Sequence, residues 1–171
     1  DADQTLRFPD FRAEERTFAL VAQLAGRAGR GSADPRARVI VQTLTPDASS
    51  IAHAARHDAP GFLREELRRR EALRYPPFAD LIRVVCTAAE LETADAAAAA
   101  VAAGIDVAHT ELLGPAPLFR LRNRERVQVV VKTTERAAAV AAVGVAVEVA
   151  ANDRRFRAVA FSVDVDPQSA G

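Results

Sequence analysis

The sequence predicts a mixed α/β protein whose two halves are organised differently. Helical spacing of apolar residues dominates residues 1–78, whereas residues 79–171 alternate between β-branched and alanine-rich runs. Hydrophobic residues make up 49% of the 171 positions and charged residues 27%, which is typical of a globular protein with a buried core. The longest apolar run, from Ala96 to Ile105, is too short to cross a bilayer, which argues against a membrane protein.

The first half is predicted to be mainly helical. Apolar residues at helical spacing indicate a helix over about residues 11–25, which three closely spaced glycines should end. The β-branched run Arg38–Thr43 predicts a short strand. A short helix after Pro46 and a strongly charged helix over residues 61–74 follow. The Arg68–Arg70 run of that second helix is interpreted as a solvated face.

The second half follows a regular order of strands and helices. We predict strands at Leu81–Cys86, Arg126–Thr133 and Phe156–Val165, an extended stretch ending at Leu121, and helices at Glu90–Ala103 and Thr134–Ala151. The order β-α-β-β-α-β is the ferredoxin-like α+β arrangement, which predicts an antiparallel sheet with two helices on one face. The two middle strands should form a hairpin whose tip is at residues 122–125.

Charge and cysteine content limit the classes of function. The 23 basic and 23 acidic residues give a formal net charge of zero, so the overall charge does not indicate a nucleic-acid-binding protein. Cys86 is the only cysteine, which excludes a disulfide framework and a cysteine-based zinc site within this sequence. We expect a reduced thiol buried in a strand of a cytoplasmic protein. The absence of methionine indicates a processed product or an internal fragment of a longer chain.

Several catalytic and metal-binding patterns are missing from the sequence. A phosphate-binding P-loop requires Gly-Lys-Ser/Thr, and the single lysine, Lys132, follows Val131 instead. The fragment alone should therefore be inactive as an ATPase. His53 and His57 have the i, i+4 spacing of metal ligands, but no carboxylate follows in the arrangement of a zinc protease. We predict no metal site.

The segment Gln23–Arg30 carries the strongest functional signal. It has the pattern Gln-x-x-Gly-Arg-x-x-Arg, which resembles motif VI of superfamily 2 helicases and translocases. Phosphoryl transfer spreads negative charge over the phosphate oxygens, and arginines from a second lobe can stabilise that charge and couple lobe closure to hydrolysis. Gly26 and Gly29 would let another backbone approach closely. The alternative interpretation is an ordinary helix end rich in glycine and arginine.

Further segments extend this resemblance along essentially the whole sequence. They are Phe8–Arg16 ahead of the motif, Val39–Thr43 after it, Tyr75-Pro-Pro-Phe78, Leu113–Pro117 and Val163–Pro167. In this order and spacing they resemble the C-terminal part of the primosomal replication-restart DNA helicases, the primosomal protein N′ family. The resemblance implies that residues 1–45 are the end of the second RecA-like helicase lobe, that residues 46–78 are connecting helices, and that residues 79–171 are the family's C-terminal domain.

The resemblance also implies an activity and its cofactors. The family's members are ATP-dependent 3′-to-5′ DNA helicases that recognise stalled replication forks. ATP and Mg²⁺ would occupy a site completed by another lobe, and zinc would bind an insertion in the full-length protein. By motif match, Arg30 would be the catalytic arginine finger, and Arg27 would contact the nucleotide phosphates or hold the lobe interface. Gln23 and Gly26 would lie at the nucleotide cleft.

The predicted hairpin is a candidate DNA contact. Arg120, Arg122, Arg124 and Arg126 alternate along it, and period two in extended backbone places such residues on one face. The turn interrupts that pattern, but the guanidinium groups should stay clustered as a track for phosphates. The alternative is a charged edge hairpin that only resists aggregation. The family resemblance would place aromatic residues in this hairpin, where Glu125-Arg126-Val127 stands here.

The resemblance further implies partners, and two competing functions stay open. Expected partners are forked and single-stranded DNA, the single-strand DNA-binding protein and other primosome proteins, with no membrane partner. The main alternative is a non-catalytic DNA- or protein-binding module whose motor is degenerate. A regulatory domain that binds a small molecule would rest only on the ferredoxin-like arrangement. An intact P-loop in the longer gene product would separate the helicase from the degenerate module.

Overall fold

The structure is a computed structural model that describes residues 2–8, 10–31 and 38–167. The chain divides into two compact units, which span Asp1–Ala72 and Leu73–Ala170. The fold is mixed α/β, with all of the described strands in the second unit. None of the described helices combines the length and the apolar character that crossing a membrane requires.

The first unit is helical in its described part. Its helices are α1 (Asp3–Leu6), α2 (Ala13–Gly31), α3 (Ser49–Ala55) and α4 (Ala59–Ala72). Val21 of α2 packs with Ile51 and Ala54 of α3 in a small apolar cluster. The rings of Phe18 and Phe62 stack in parallel with centroids 4.4 Å apart, and Phe62 is 1% exposed. The unit is therefore held together by the apolar faces of α2, α3 and α4.

A buried carboxylate links α4 to α2. Glu66 is buried and accepts hydrogen bonds from the guanidinium groups of Arg69 and Arg70. Arg70 also donates to Glu15 of α2 and lies over the Phe11 ring at 5.3 Å. The side chain of Arg70 is only 11% exposed. The prediction that the Arg68–Arg70 run is a solvated face is therefore wrong for Arg70, because that side chain neutralises a buried charge.

Two sequence predictions for the first unit are wrong. The helix expected to end near residue 25 continues to Gly31, because the inward positions Val21, Ala25 and Ala28 keep their helical spacing. A glycine in a helix interior costs only about 1 kcal/mol, which such packing can offset. Residues Arg38–Thr43 form no strand, because a strand needs a hydrogen-bonded neighbour and the described part of this unit contains none.

The second unit is a four-stranded antiparallel sheet with two helices. Its elements are β1 (Asp80–Ala88), α5 (Leu91–Ala103), β2 (Thr110–Leu121), β3 (Arg124–Thr133), α6 (Arg136–Asn152), a 3₁₀ turn (Arg154–Phe156) and β4 (Ala160–Val165). The strand order is β2-β3-β1-β4, and every neighbouring pair is antiparallel. The predicted β-α-β-β-α-β order is confirmed.

The core of this unit lies between one face of the sheet and the helices. Alternate residues of the central strands are fully buried there: Ile82, Val84 and Cys86 of β1, and Val127, Val129 and Val131 of β3. They pack with Ala97 and Val101 of α5 and with Ala139 and Val143 of α6. Alanine on the inward helix faces lets the helices approach the sheet closely, which explains the alanine-rich runs of the sequence.

Local departures from the prediction concern the start of the last strand and a bulge in β2. Phe156 was expected to begin the last strand, but it lies in the 3₁₀ turn, 4% exposed, with its side chain in the core. β2 contains a register shift at Gly114, where φ is +102°. A Cβ atom there would lie 2.7 Å from the Gln128 carbonyl oxygen, so this position requires glycine.

We expect the Cys86 thiol to be unreactive in the folded chain. The side chain is buried, and burial raises the pKa of the thiol from 9.0 to about 11. A thiol-specific reagent at about pH 8 should therefore modify Cys86 only after denaturant is added. Stability should also fall as the pH rises from about 9 towards 11, because the unfolded thiol then loses a proton that the folded one keeps. Rapid modification of the native chain would contradict this burial.

Candidate functional site

The Gln-x-x-Gly-Arg-x-x-Arg motif begins on the exposed side of α2. Gln23 and Arg27 are four residues apart and exposed, whereas Thr17 and Val21 are buried on the opposite side. Gly26 lies on the exposed side, with no atom within 4 Å of the place where a Cβ would be. Within the described residues, the motif therefore faces outward and no other backbone approaches Gly26.

Arg30 belongs to the same helix. Positions 23, 27 and 30 have i, i+4, i+7 spacing, which places them on one side of an α-helix. The side chain of Arg30 lies outside the described part of the chain. The continuation of α2 beyond residue 25, which the sequence did not predict, is what gives these three positions their common side. An exposed guanidinium group such as that of Arg27 can bind phosphate oxygens.

The hairpin between β2 and β3 extends beyond its neighbouring strand. Its two turn residues, Arg122 and Asn123, have φ values of +50° and +61°. Left-handed backbone at both turn positions matches the right-handed twist of the paired strands. The ladder between β1 and β3 ends where Ala88 faces Glu125. The turn and Arg124 therefore project past the end of β1.

The four arginines of the hairpin do not share one face. Leu118 pairs with Arg126 and Leu121 with Arg124, so three steps along β2 match two along β3. Because Leu121 pairs with Arg124 across the two-residue turn, Arg120 falls opposite Glu125, and the Nε of Arg120 lies 3.0 Å from the carboxylate of Glu125. Glu125 faces the core residue Ala88, whereas Arg126 is on the alternate face. The pairing of Arg120 with Glu125, on the other face from Arg126, is what breaks the predicted single row.

Arg124 is tied to the protein itself. Its Nη2 donates hydrogen bonds to the carbonyl oxygen of Thr87 at 3.4 Å and to that of Ala158 at 3.1 Å. These bonds join the tip of the hairpin to the end of β1 and to the segment before β4. Arg122 and Arg126 form no ion pair with other described residues, and Arg122 is exposed. Two of the four predicted arginines therefore keep their guanidinium groups available to an anion.

The structure adds exposed residues that the sequence analysis did not consider. Arg154 and Arg157 lie in the segment between α6 and β4, and both are exposed. Phe119 of β2 is 88% exposed beside the bulge. The sequence signal for the first two was the run Arg-Arg-Phe-Arg at 154–157, part of which was assigned to a strand. Phe119 is next to Arg120 in β2, whereas the expected position of the aromatic residues was at 125–127, in β3.

An internal ion pair neutralises Arg155, which lies between Arg154 and Arg157 in the sequence. The guanidinium of Arg155 donates to the carboxylate of Asp153 at 2.6 Å and 2.9 Å, and its backbone N–H donates to the same side chain at 2.8 Å. The hydrogen bonds from Arg155 lower the pKa of Asp153 and, in turn, raise the pKa of Arg155. Arg154 and Arg157 form no such pair within the described residues.

Both ring nitrogens of His53, the first histidine of the i, i+4 pair, have carboxylate partners. The Nδ1 of His53 lies 2.9 Å from Asp58, and its Nε2 lies 3.1 Å from Glu65, so its two nitrogens face different carboxylates. A backbone hydrogen bond from Gly61, followed by the hydrogen bond with His53, lowers the pKa of Asp58. The described residues contain no group of three or more histidine, cysteine or acidic side chains arranged to hold a metal ion.

Comparison with known proteins identifies the family of the second unit. The family described as primosomal protein N C-terminal domain matches residues 71–168, which include every strand of the sheet. The chain belongs to this family. Its expected resemblance to the primosomal replication-restart proteins is confirmed.

Curated relatives of the family extend the similarity into the first unit. They include the replication restart protein PriA of Bacillus subtilis, 34% identical over 171 residues, or 97% of this chain and 21% of that protein. PriA of Synechocystis is 39% identical over 136 residues, covering 77% of this chain and 16% of that protein. PriA of Treponema pallidum is 49% identical over 84 residues, covering 49% and 12%. The chain thus spans about a fifth or less of these relatives.

We expect the arginines of the hairpin to differ in their effect on stability. Arg124→Gln removes hydrogen bonds from a charged donor to two carbonyl oxygens, so the free energy of unfolding should fall by roughly 1–3 kcal/mol. Arg122→Gln removes no described contact and should change it by less than about 0.5 kcal/mol. Urea unfolding followed by circular dichroism measures both. Equal effects of the two substitutions would show that the Arg124 contacts do not stabilise the hairpin.

Proposed function

We propose that the chain is part of an ATP-dependent 3′-to-5′ DNA helicase that restarts replication at stalled forks. The observation that carries this proposal is the Gln-x-x-Gly-Arg-x-x-Arg motif on the exposed side of α2, ahead of a primosomal protein N C-terminal domain. The name of the curated relatives, replication restart protein PriA, supports the same role. On this proposal residues 1–45 are the end of a RecA-like lobe.

The exposed face of α2 is the proposed contribution to ATP hydrolysis. Arg30 would stabilise the charge that develops on the transferred phosphoryl group, and Arg27 would bind the neighbouring phosphate oxygens. Gln23, one turn before Arg27, would line the nucleotide cleft. The exposure of Gln23 and Arg27 fits a site that another lobe completes with its P-loop and with the acidic residues that hold Mg²⁺.

The residues present do not fit a zinc site. The only cysteine, Cys86, is buried in β1, and a thiol inside a sheet core cannot join a tetrahedral set of ligands without unfolding the strand. If zinc is part of the longer protein, its ligands lie elsewhere. The proposed function therefore uses no zinc ion bound by this chain.

The hairpin end of the sheet is the proposed contact with DNA. Arg122 and Arg126 are the two hairpin arginines that form no ion pair with other described residues, and the turn projects beyond β1. Arg124 would position the hairpin through its bonds to Thr87 and Ala158. Arg120 is paired with Glu125 and would contribute less. The ligand would be forked DNA with its single-stranded arms, bound through backbone phosphates.

The remaining partners follow from the proposed role. A protein that reloads the replication machinery would meet the single-strand DNA-binding protein and other primosome proteins in the cytoplasm. The similarity to proteins named replication restart protein PriA supports this context. A degenerate motor that keeps only fork binding is the alternative, and ATP binding by the longer protein separates the two.

We expect Arg30→Ala in the full-length helicase to abolish DNA-stimulated ATP hydrolysis while ATP still binds. Loss of an arginine finger typically lowers kcat by about 10³-fold or more, because the transition-state charge loses its partner. A coupled ATPase assay with forked DNA measures the rate, and a fluorescent nucleotide measures binding. Arg68→Ala, which removes an exposed arginine of α4, is the control.

Either of two results would count against the motif assignment. Wild-type hydrolysis in the Arg30→Ala protein would show that this arginine does not act at the phosphates. Absence of ATP binding in the wild-type protein would favour the non-catalytic module instead.

We expect charge reversal at Arg122 and Arg126 to weaken binding to forked DNA. Each lost phosphate contact should reduce the slope of log affinity against log salt by about 0.9. Arg122→Glu/Arg126→Glu should therefore bind more weakly at low salt and depend less on salt, as measured by fluorescence anisotropy from about 50 to 200 mM salt. An unchanged affinity and an unchanged slope would refute the hairpin as a DNA contact.

A further inference from the structure

A second basic segment is held rigidly between α6 and β4. Arg154, Arg155 and Arg157 surround Phe156, whose ring is 4% exposed in the core of the sheet unit. The backbone N–H of Phe156 donates to the carbonyl oxygen of Asp153, and that of Val159 donates to the carbonyl oxygen of Phe156. The buried ring and these turns fix the backbone that carries the arginines, so little conformational entropy is lost when they bind a ligand.

This segment lies at the same end of the sheet as the hairpin. Arg124 donates to the carbonyl oxygen of Ala158, a residue 34 positions later in the sequence. Thr87 of β1 pairs with Arg126 on one side and with Ala160 on the other. Neighbouring strands are about 4.8 Å apart, so Arg126 and Ala160 are separated by about 10 Å across the sheet. That distance corresponds to roughly three base pairs along a DNA duplex.

The charges of this end do not cancel. Within the described residues, five guanidinium groups there have no carboxylate partner: Arg122, Arg124, Arg126, Arg154 and Arg157. Arg120 and Arg155 are paired with Glu125 and Asp153. The exposed carboxylates of Glu90 and Glu92, at the start of α5, are the opposing charges. A chain with zero net charge therefore carries a local excess of positive charge at this end of the sheet.

We infer that Arg154 and Arg157 bind DNA backbone phosphates together with the hairpin, as one site built from two segments. The inference rests on the proposed DNA-binding function and extends it to residues that no sequence motif or comparison assigns. Guanidinium groups can bind phosphate oxygens with two parallel hydrogen bonds, which a lysine cannot do. The hairpin would contact phosphates on one side of the end of β1, and the segment at 154–157 would contact phosphates on the other side, near the start of β4.

The test compares charge-removal variants of the 171-residue chain on one labelled forked DNA. In Arg154→Gln/Arg157→Gln, the loss of two phosphate contacts should reduce the salt slope by about 1.8. Over a fourfold change in salt, the affinity of the variant should then vary about 12-fold less than that of the unchanged chain. Arg122→Gln/Arg126→Gln is measured in parallel, because it tests the proposed DNA contact of the hairpin separately.

Two controls isolate the position of the charge. Arg64→Gln/Arg68→Gln removes the same charge from exposed positions of α4 in the other unit, and its slope should not change. Arg154→Lys/Arg157→Lys keeps the charge and should keep most of the slope. Thermal unfolding of every variant verifies that the sheet unit is folded.

The outcomes separate this inference from the proposed function. A lower slope in both the segment variant and the hairpin variant supports the two-segment site. A lower slope in the hairpin variant alone overturns the inference and leaves the proposed DNA binding standing. No change in either variant overturns both. An equal loss in the α4 control would show an effect of net charge only, which also overturns it.

One further result would show that the ligand of this site is not DNA. If a polyglutamate peptide competes with the fork as strongly per charge as unlabelled DNA does, the site recognises acidic protein segments rather than nucleic acid, and the inference is wrong.

Discussion

The packing of the two central strands against alanine-rich helices is the constraint on which the sheet unit depends. Val127, Val129 and Val131 of β3 and the matching residues of β1 are fully buried under α5 and α6. Since side chains alternate between the two faces of a strand, burying this set fixes the face of every other residue in the strand. Arg126 lies on the face of the sheet away from the core because Val127 is buried in the core.

The same constraint decides which end of the sheet carries the positive charge. Antiparallel pairing brings the end of β1, the start of β3 and the start of β4 to one end of the sheet, where Arg124 of the hairpin contacts Ala158, just after residues 154–157. Arg124 then joins the segments by donating to carbonyl oxygens of both β1 and the approach to β4. Arg124, which the sequence predicted to contact DNA, therefore helps to hold the hairpin and its other arginines in position.

Much of the fold could be predicted because local patterns and burial agree. The β-α-β-β-α-β order followed from the alternation of β-branched and alanine-rich runs, and the sheet has that order. The predictions that failed depended on partners beyond the local sequence. Arg38–Thr43 has strand composition but no neighbouring strand among the described residues of its unit. Helix α2 continues through glycines because its inner side stays packed, and Phe156 is a core anchor instead of a strand residue.

The candidate sites show the same division. The Gln-x-x-Gly-Arg-x-x-Arg pattern could be recognised from residues close in sequence, but the helix was predicted to end near residue 25, so only the structure places positions 23, 27 and 30 on one side of α2. The interactions of the hairpin arginines could not be predicted in this way. The two-residue turn pairs Leu121 with Arg124, which puts Arg120 opposite Glu125, and Arg126 forms no ion pair with other described residues.

By itself, the sequence determined the element order, the buried faces of the strands and the Gln-x-x-Gly-Arg-x-x-Arg motif, since each is encoded in spacings of a few residues. Only the tertiary structure decided that α2 continues through the motif, which carbonyl oxygens hold Arg124, and which distant segments share a surface. The physical reason is that ion pairs and hydrogen bonds depend on distances of a few ångströms between residues that are far apart in the chain. Strand register and sheet topology alone set those distances.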